Sequence, residues 1–225
     1  MNHYIARPFS LVLASLIGLI AALAALAAFS GTPAQASTRA TTPPVSAAQL
    51  AFRNDMRKLW EDHIVWTRMA IVSLVSDAPD TDASVGRLLQ NQTDIGDAIK
   101  PFYGEAAGAE LTRLLREHIT IAADLIGAAK AGDEAGVVAA QTAWGANADA
   151  IAEFLHGANP LHWPLANLRT MLHEHLALTT REAVARLQGD WAADVAAYDE
   201  IHVQALHMAD TLSVGIIEQF PRRFR

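Results

Sequence analysis

The sequence predicts an all-α protein, an antiparallel bundle of six helices built as three repeated helical hairpins. Three observations predict it. An acidic–His pair in apolar surroundings occurs three times, as LWEDHIVW (59–66), LLREHITI (114–121) and MLHEHLAL (171–178). Each histidine is followed, 31 to 35 residues later, by an Asp that opens a small-apolar step: Asp97-Ala98-Ile99, Asp149-Ala150-Ile151 and Asp210-Thr211-Leu212. Between the two marks lies a turn signal, DAPDTD (77–82), AGDE (131–134) or QGDW (188–191). A unit of roughly 50 residues with one central turn reads as a helical hairpin used three times. β-branched runs of period 2 are absent, so no strand is predicted.

The first helix is predicted at 47–77, where Met56, Leu59, Trp60, His63, Trp66, Thr67, Ala70 and Leu74 form a stripe of period 3.6. Ala78-Pro79-Asp80 stops it, and Thr81 or Asp82 can cap the next helix. The second, at 82–100, carries Val85, Leu88, Leu89, Gln92, Ile95 and Ile99 and ends before Pro101, which disfavours helical backbone at the residue preceding it. The second hairpin is predicted at 105–130 and 133–156, striped by Leu111, Leu114, Leu115, His118, Ile121 and Leu125, then Val137, Gln141, Trp144, Ala148, Ile151 and Leu155. The third is predicted at 164–187 and 190–219. Its stripes are Leu168, Met171, Leu172, His175 and Leu178, then Val195, Tyr198, His202, Ala205, Ala209, Leu212 and Ile216. Ala-rich helices joined by short turns default to an antiparallel bundle.

Residues 1–36 read as a secretory signal peptide: Arg7, a nearly unbroken apolar run from Leu11 to Phe29, and an Ala-x-Ala exit (Ala34, Ala36) ahead of Ser37. The expected location is therefore the periplasm or the exterior of the cell. The alternative is a membrane anchor, since an apolar run of that length just suffices to span a bilayer if left uncleaved. Residues 37–48 (STRATTPPVSAA) read as a flexible linker, and 49–225 as the helical domain. Loss of the signal removes Arg7 and leaves 16 basic against 24 acidic residues, a formal charge of −8. That balance argues against nucleic acid or an anionic membrane surface as partner. The chain has no Cys, which excludes disulfides, thiolate metal sites and covalent c-type haem attachment.

The candidate site is histidine-based. His63, His118 and His175 fall at the midpoints of their stripes, each 14 to 16 residues before its turn, so one level of the bundle should hold all three. His202 lies on the predicted inward stripe about as far after its turn as His175 lies before it. One reading makes these four residues ligands of a transition metal such as Zn or Cu, or of haem, with Asp62, Glu117 and Glu174 as supporting carboxylates. The other makes them core histidines satisfied by neighbours, with Asn147 placed to reach His118. A pH-responsive core is a third reading, because buried neutral histidines must charge on acidification. The repeated Asp97 and Asp149 point away from the stripes, toward a second interface or solvent, and Asp210 lies nearer a flank.

Familiar motifs fail on inspection. His173-Glu174-His175 opens like a zinc-protease helix, but Ala177 stands where the second ligand is needed. Asp80-Thr81-Asp82 is explained by helix capping, and Asn91-Gln92-Thr93, formally a glycosylation acceptor, is mid-helix. There is no Gly-rich phosphate loop and no serine nucleophile elbow.

The strings LWEDHIVWTR (59–68), LLQNQTDIGDAIKPFYG (88–104), NADAIAEFL (147–155) and MADTLSVGIIEQFP (208–221) resemble a family of exported bacterial all-helical proteins of unknown function. Some members of that family carry an automatic glycosyltransferase label. A chain without an α/β nucleotide-sugar domain gives that label no physical support. The sequence thus leads to an exported, non-enzymatic binding or interaction protein whose partner is a small ligand or a protein. A metal- or haem-binding protein is the first rival and an enzyme the second.

Overall fold

The computed structural model describes residues 45–225. The segment read as a signal peptide, 1–36, and most of the segment read as a linker, 37–48, lie outside the described residues. Six helices account for nearly all of the rest: α1 (Ala47–Ser76), α2 (Thr81–Tyr103), α3 (Glu105–Ala131), α4 (Glu134–Ala158), α5 (Leu165–Gln188) and α6 (Trp191–Gln219). A short 3-10 turn, Pro221–Phe224, closes the chain, and no strand occurs among the described residues. None of these helices is long and apolar enough to cross a membrane.

The helix ends follow local chemistry. Ser46 caps α1 through a capping box, its hydroxyl accepting from the Gln49 N–H while the Gln49 side chain accepts from the Ser46 N–H. The last residues assigned to the linker are therefore already structured. Asp133 and Asp190 cap α4 and α6 by accepting from Gly136 and Ala193 N–H groups. Helices α1, α3 and α5 each end at a left-handed residue, Asp77, Gly132 and Gly189, fourteen positions after His63, His118 and His175. Glycine adopts that conformation without the Cβ clash that Asp77 tolerates.

One boundary departs from expectation. Helix α2 runs through Pro101 to Tyr103 instead of stopping at Lys100. The extra turn is held by tertiary packing. Phe102 stacks on Phe224 and meets Phe52 edge-on, and the Tyr103 hydroxyl donates to the Gln219 side chain. Packing of this kind outweighs a proline placed near a helix end, where few backbone bonds remain to be lost.

The helices form a closed ring. Each packs on its neighbour in sequence, and α6 returns to α1, while α1 also touches α3 and α5 across the axis. Layers of side chains fill that axis. Met56, Leu111 and Leu168 make one, and Trp60, Leu115 and Leu172 the next, all within a single apolar cluster. At the α2–α3 seam the backbones approach closely at Gly96 and Gly108, where an added Cβ on Gly96 would lie 2.6 Å from the Gly108 carbonyl oxygen. Elsewhere the seams between hairpins are ionic. Asp149 of α4 pairs with Arg169 of α5, and Asp210 of α6 with Arg53 and Arg57 of α1. Asp149 thus faces a second interface, and Asp97, about half exposed and paired with Lys100 on its own helix, faces solvent, as their phases predict. Asp210, expected nearer a flank, also lies at a seam.

Candidate functional site

One turn beyond the Trp60 layer lies a polar one. His63, His118 and His175 enter it from α1, α3 and α5 and are 3%, 5% and 4% exposed. The ring centres of His63 and His175 are 5.7 Å apart, and those of His118 and His175 6.2 Å. The structure therefore brings these three together at one depth, as their spacing predicts.

It does not bring His202 with them. The inward face of α6 is Ile201, Gln204, Ala205 and Met208, while His202 sits on the flank, stacked on Tyr198 and 3.4 Å from Glu61 of α1. The predicted stripe holds at Ala205, Ala209, Leu212 and Ile216, all buried, and fails toward the start of the helix. Its Val195 is 52% exposed, and the buried positions are Asp194 and Ala197. The place opposite His175 belongs to Gln204.

A side-chain amide holds each imidazole from the other helix of its hairpin, always 29 residues downstream. Asn147 Oδ1 lies 2.9 Å from Nδ1 of His118, and Gln204 Oε1 lies 3.0 Å from Nδ1 of His175. The amide nitrogens of Asn147 and Gln204 donate to the carbonyls of Leu114 and Met171, one turn before the respective histidine. That orientation leaves oxygen facing the ring, so Nδ1 carries the proton and donates it. In the first hairpin two residues share the task. Asn91 donates to the Leu59 carbonyl, and the Gln92 amide nitrogen faces Nδ1 of His63 at 3.2 Å while donating to Leu88. The same nitrogen also donates to the Asn91 oxygen at 3.2 Å, so both of its N–H groups are engaged beside the ring.

Trp144 donates its indole N–H to Nε2 of His118 at 3.2 Å. That bond takes up the His118 Nε2 lone pair, so a metal held by all three rings would have to displace Trp144. Among the described residues no group of three or more His, Cys, Asp or Glu side chains is set to hold a metal ion. The flanking Asp62 and Glu117 point outward, to Lys58 and Arg113, and Glu174 is exposed and lines an outer groove. His173 likewise faces the surface, 3.1 Å from Asp149, which separates it from His175 two residues on.

Burial without a counter-charge depresses all three imidazoles. Desolvation, then the neighbouring His175 and His118, hold His63 well below the ordinary range. Desolvation and His175 push His118 down to about 3, and desolvation lowers His175. The layer is neutral at pH 7. Two polar atoms beside it, Trp60 Nε1 and Gln92 Oε1, are buried without a hydrogen-bond partner among the described residues.

Beyond the layer, toward the hairpin turns, lies a charged cluster that the apolar periodicity gave no sign of. Glu182 and Asp194 are each 1% exposed, and Arg68 of α1 binds both. Arg186 adds a contact to Asp194 at 3.2 Å. Burial raises Glu182, whereas at Asp194 the hydrogen bonds and charges of Arg68 and Arg186 outweigh burial and lower it. The sequence signal, had it been read, is an acidic residue repeated on the inward phase of two partner helices. A group that buried must have a cation opposite.

Two concavities flank the layer. A wholly apolar cavity of about 30 Å³ lies on the axis among Met56, Trp60, Leu115, Leu172 and Met208. An open groove of about 660 Å³ runs along α5 and α6, with Met171, Leu178 and Val203 beside Glu174, Glu200 and His207, and Gln204 contributes to its wall. The fold and these features define an all-α, six-helix bundle with a polar layer at mid-height. Comparison of the chain with family models, curated proteins and solved structures gives no match.

Proposed function

We propose that this chain is an exported, non-enzymatic binding protein built from three copies of one hairpin, and that its ligand or partner docks on the outer surface of the third. The observation that carries the reading is the open groove between α5 and α6, whose volume of about 660 Å³ lies within the range of small-molecule sites. The histidine layer is shut off from solvent and occupied with its own hydrogen bonds, so a substrate has no route to it. A groove walled by Met171, Leu178 and Val203 and edged by Glu174 and Glu200 suits a ligand with an apolar body and a cationic group.

Native mass spectrometry on protein purified from its own compartment tests this. The expected result is a non-covalent mass increment that is lost in Val203→Arg, a change at an exposed position that fills the groove. A bare polypeptide mass, or an increment that Val203→Arg retains, overturns the reading. An increment of one transition-metal ion that disappears in His175→Gln would install the metal-binding alternative in its place.

A further inference from the structure

A further proton on the histidine layer finds no carboxylate: it lands beside a donor, a neutral amide or another imidazole. His118 would be protonated at Nε2, where the Trp144 N–H already points. At His63 the amide nitrogen of Gln92 faces Nδ1, and the Asn91 side chain supplies the one hydrogen bond that favours a charged ring, which burial and the two other imidazoles outweigh. His175 would be protonated at Nε2 with both other rings as neighbours. No carboxylate contacts any of the three. On α1, Glu61 faces His202, and Asp62 is tied to Lys58 with Arg87 of α2 nearby. Helix α2 otherwise presents neutral Asn91 and Gln92 to the layer. On α3, Glu117 is bound to Arg113. Helix α4 presents Trp144 and Asn147, and its Asp149 turns away to Arg169 and His173. On α5, Glu174 lines the outer groove, and α6 presents Gln204, with His207 also on that groove.

We propose that this layer is an acid-operated latch: it holds the six helices closed while its three imidazoles are neutral, and the bundle opens in one cooperative, reversible step when they take up protons. The three rings lie at one depth and on alternate helices of a closed ring, so none can reach water without parting the helices that hold the other two. Protonation and opening are therefore one event. Since each ring binds a proton less readily in the folded than in the unfolded chain, stability is complete above about pH 6.5 and drains away as the pH falls below it. Three protons taken up together make the opening constant change roughly a thousandfold per pH unit across the transition. One such histidine would give about tenfold.

The test follows the imidazole NMR signals and the far-UV circular dichroism of the chain from neutral pH down to about 3. The expected result is that the three buried rings keep neutral shifts until the helical signal itself is lost, and that both return when the pH is restored. Asn147→Asp and Gln204→Glu place a carboxylate against the Nδ1–H of His118 and His175, at the cost of the bond that the amide nitrogen gives to the Leu114 or Met171 carbonyl. Measured from Asn147→Ala and Gln204→Ala, which lose that bond too, each should move the opening to lower pH, by about half a unit or more. The latch is refuted if the three rings titrate near pH 6.5 in a chain that stays folded, or if both acidic variants open where their alanine counterparts do. Should either variant fail to fold at neutral pH, the other and the wild-type titration still decide.

Discussion

Asn147 holds His118 at two points: its side-chain oxygen accepts the ring Nδ1–H at 2.9 Å, and its nitrogen donates to the carbonyl of Leu114 one turn earlier. Gln204 does the same for His175 and Met171. These amides join the two helices of a hairpin at its middle, where the axis would otherwise be apolar. Replacing Asn147 by Ala removes both bonds and strands the His118 Nδ1–H in the core, while the Leu114 carbonyl keeps its bond within α3. The expected loss is about 1–3 kcal/mol, from one buried donor left unsatisfied. Urea denaturation of Asn147→Ala against wild type measures it, and a loss under about 1 kcal/mol would show that water replaces the amide.

Much of this arrangement was readable from residue spacing. The three histidines come from one phase of a pattern of period 3.6, so their convergence needed no knowledge of how the helices pack. Asn147 was within reach of His118 by the same geometry. What was not readable depends on partners distant in sequence. Helix α6 is rich in alanine, so its inward face is marked weakly, and His202 was assigned inward where Ile201 and Gln204 in fact lie. The burial of Asp194 requires Arg68, 126 residues away. The inward phase of Glu182 and Asp194 calls for a cation opposite, but nothing local says which one. The extension of α2 past Pro101 depends likewise on Phe224, at the other end of the chain.

The placement of His202 gives a direct comparison. Its side chain is one-third exposed and its contact with Glu61 is long. His202→Ala should therefore change stability by less than about 0.5 kcal/mol, as surface substitutions do. His175→Ala empties a buried position and orphans the Gln204 oxygen, with an expected cost of about 3 kcal/mol or more. Thermal melts of the two variants in parallel check both. Equal losses would place His202 in the layer after all.

Glycine contacts make a second pair of opposites. A Cβ on Gly96 would collide with the Thr112 hydroxyl and press on the Gly108 backbone, which cannot move without separating α2 from α3. Gly96→Ala should cost about 1–3 kcal/mol or more by overpacking. Gly127 is exposed in the interior of α3 with nothing near its missing Cβ. Gly127→Ala should stabilise by about 0.5–1 kcal/mol through lower helix-forming entropy cost. The sign of the change in melting temperature separates the two cases.

The buried charges set the largest expected effect. Arg68 reaches from α1 to Glu182 on α5 and Asp194 on α6, at the seam where the ring closes, and its guanidinium also lies 5.2 Å from the Tyr198 ring centre. Arg68→Met keeps most of the stem but leaves two carboxylates, each 1% exposed, with only Arg186 nearby. Breaking such a group from one side costs about 3–5 kcal/mol, because the remaining charges stay desolvated. Glu182, already raised by burial, should then hold its proton to still higher pH, since the cation that opposed burial is gone. A carboxyl that is protonated in the folded chain and ionised in the unfolded one loses stability as pH rises. Arg68→Met keeps the three histidines, so it should lose ground relative to the wild type as the pH rises between about 5 and 8, and fall in absolute stability only above about pH 6.5, where the histidine contribution levels off. Denaturation midpoints of both proteins across that range test it. A uniform offset between the two curves would mean that Glu182 remains ionised without Arg68, and that Arg186 alone suffices to hold the seam.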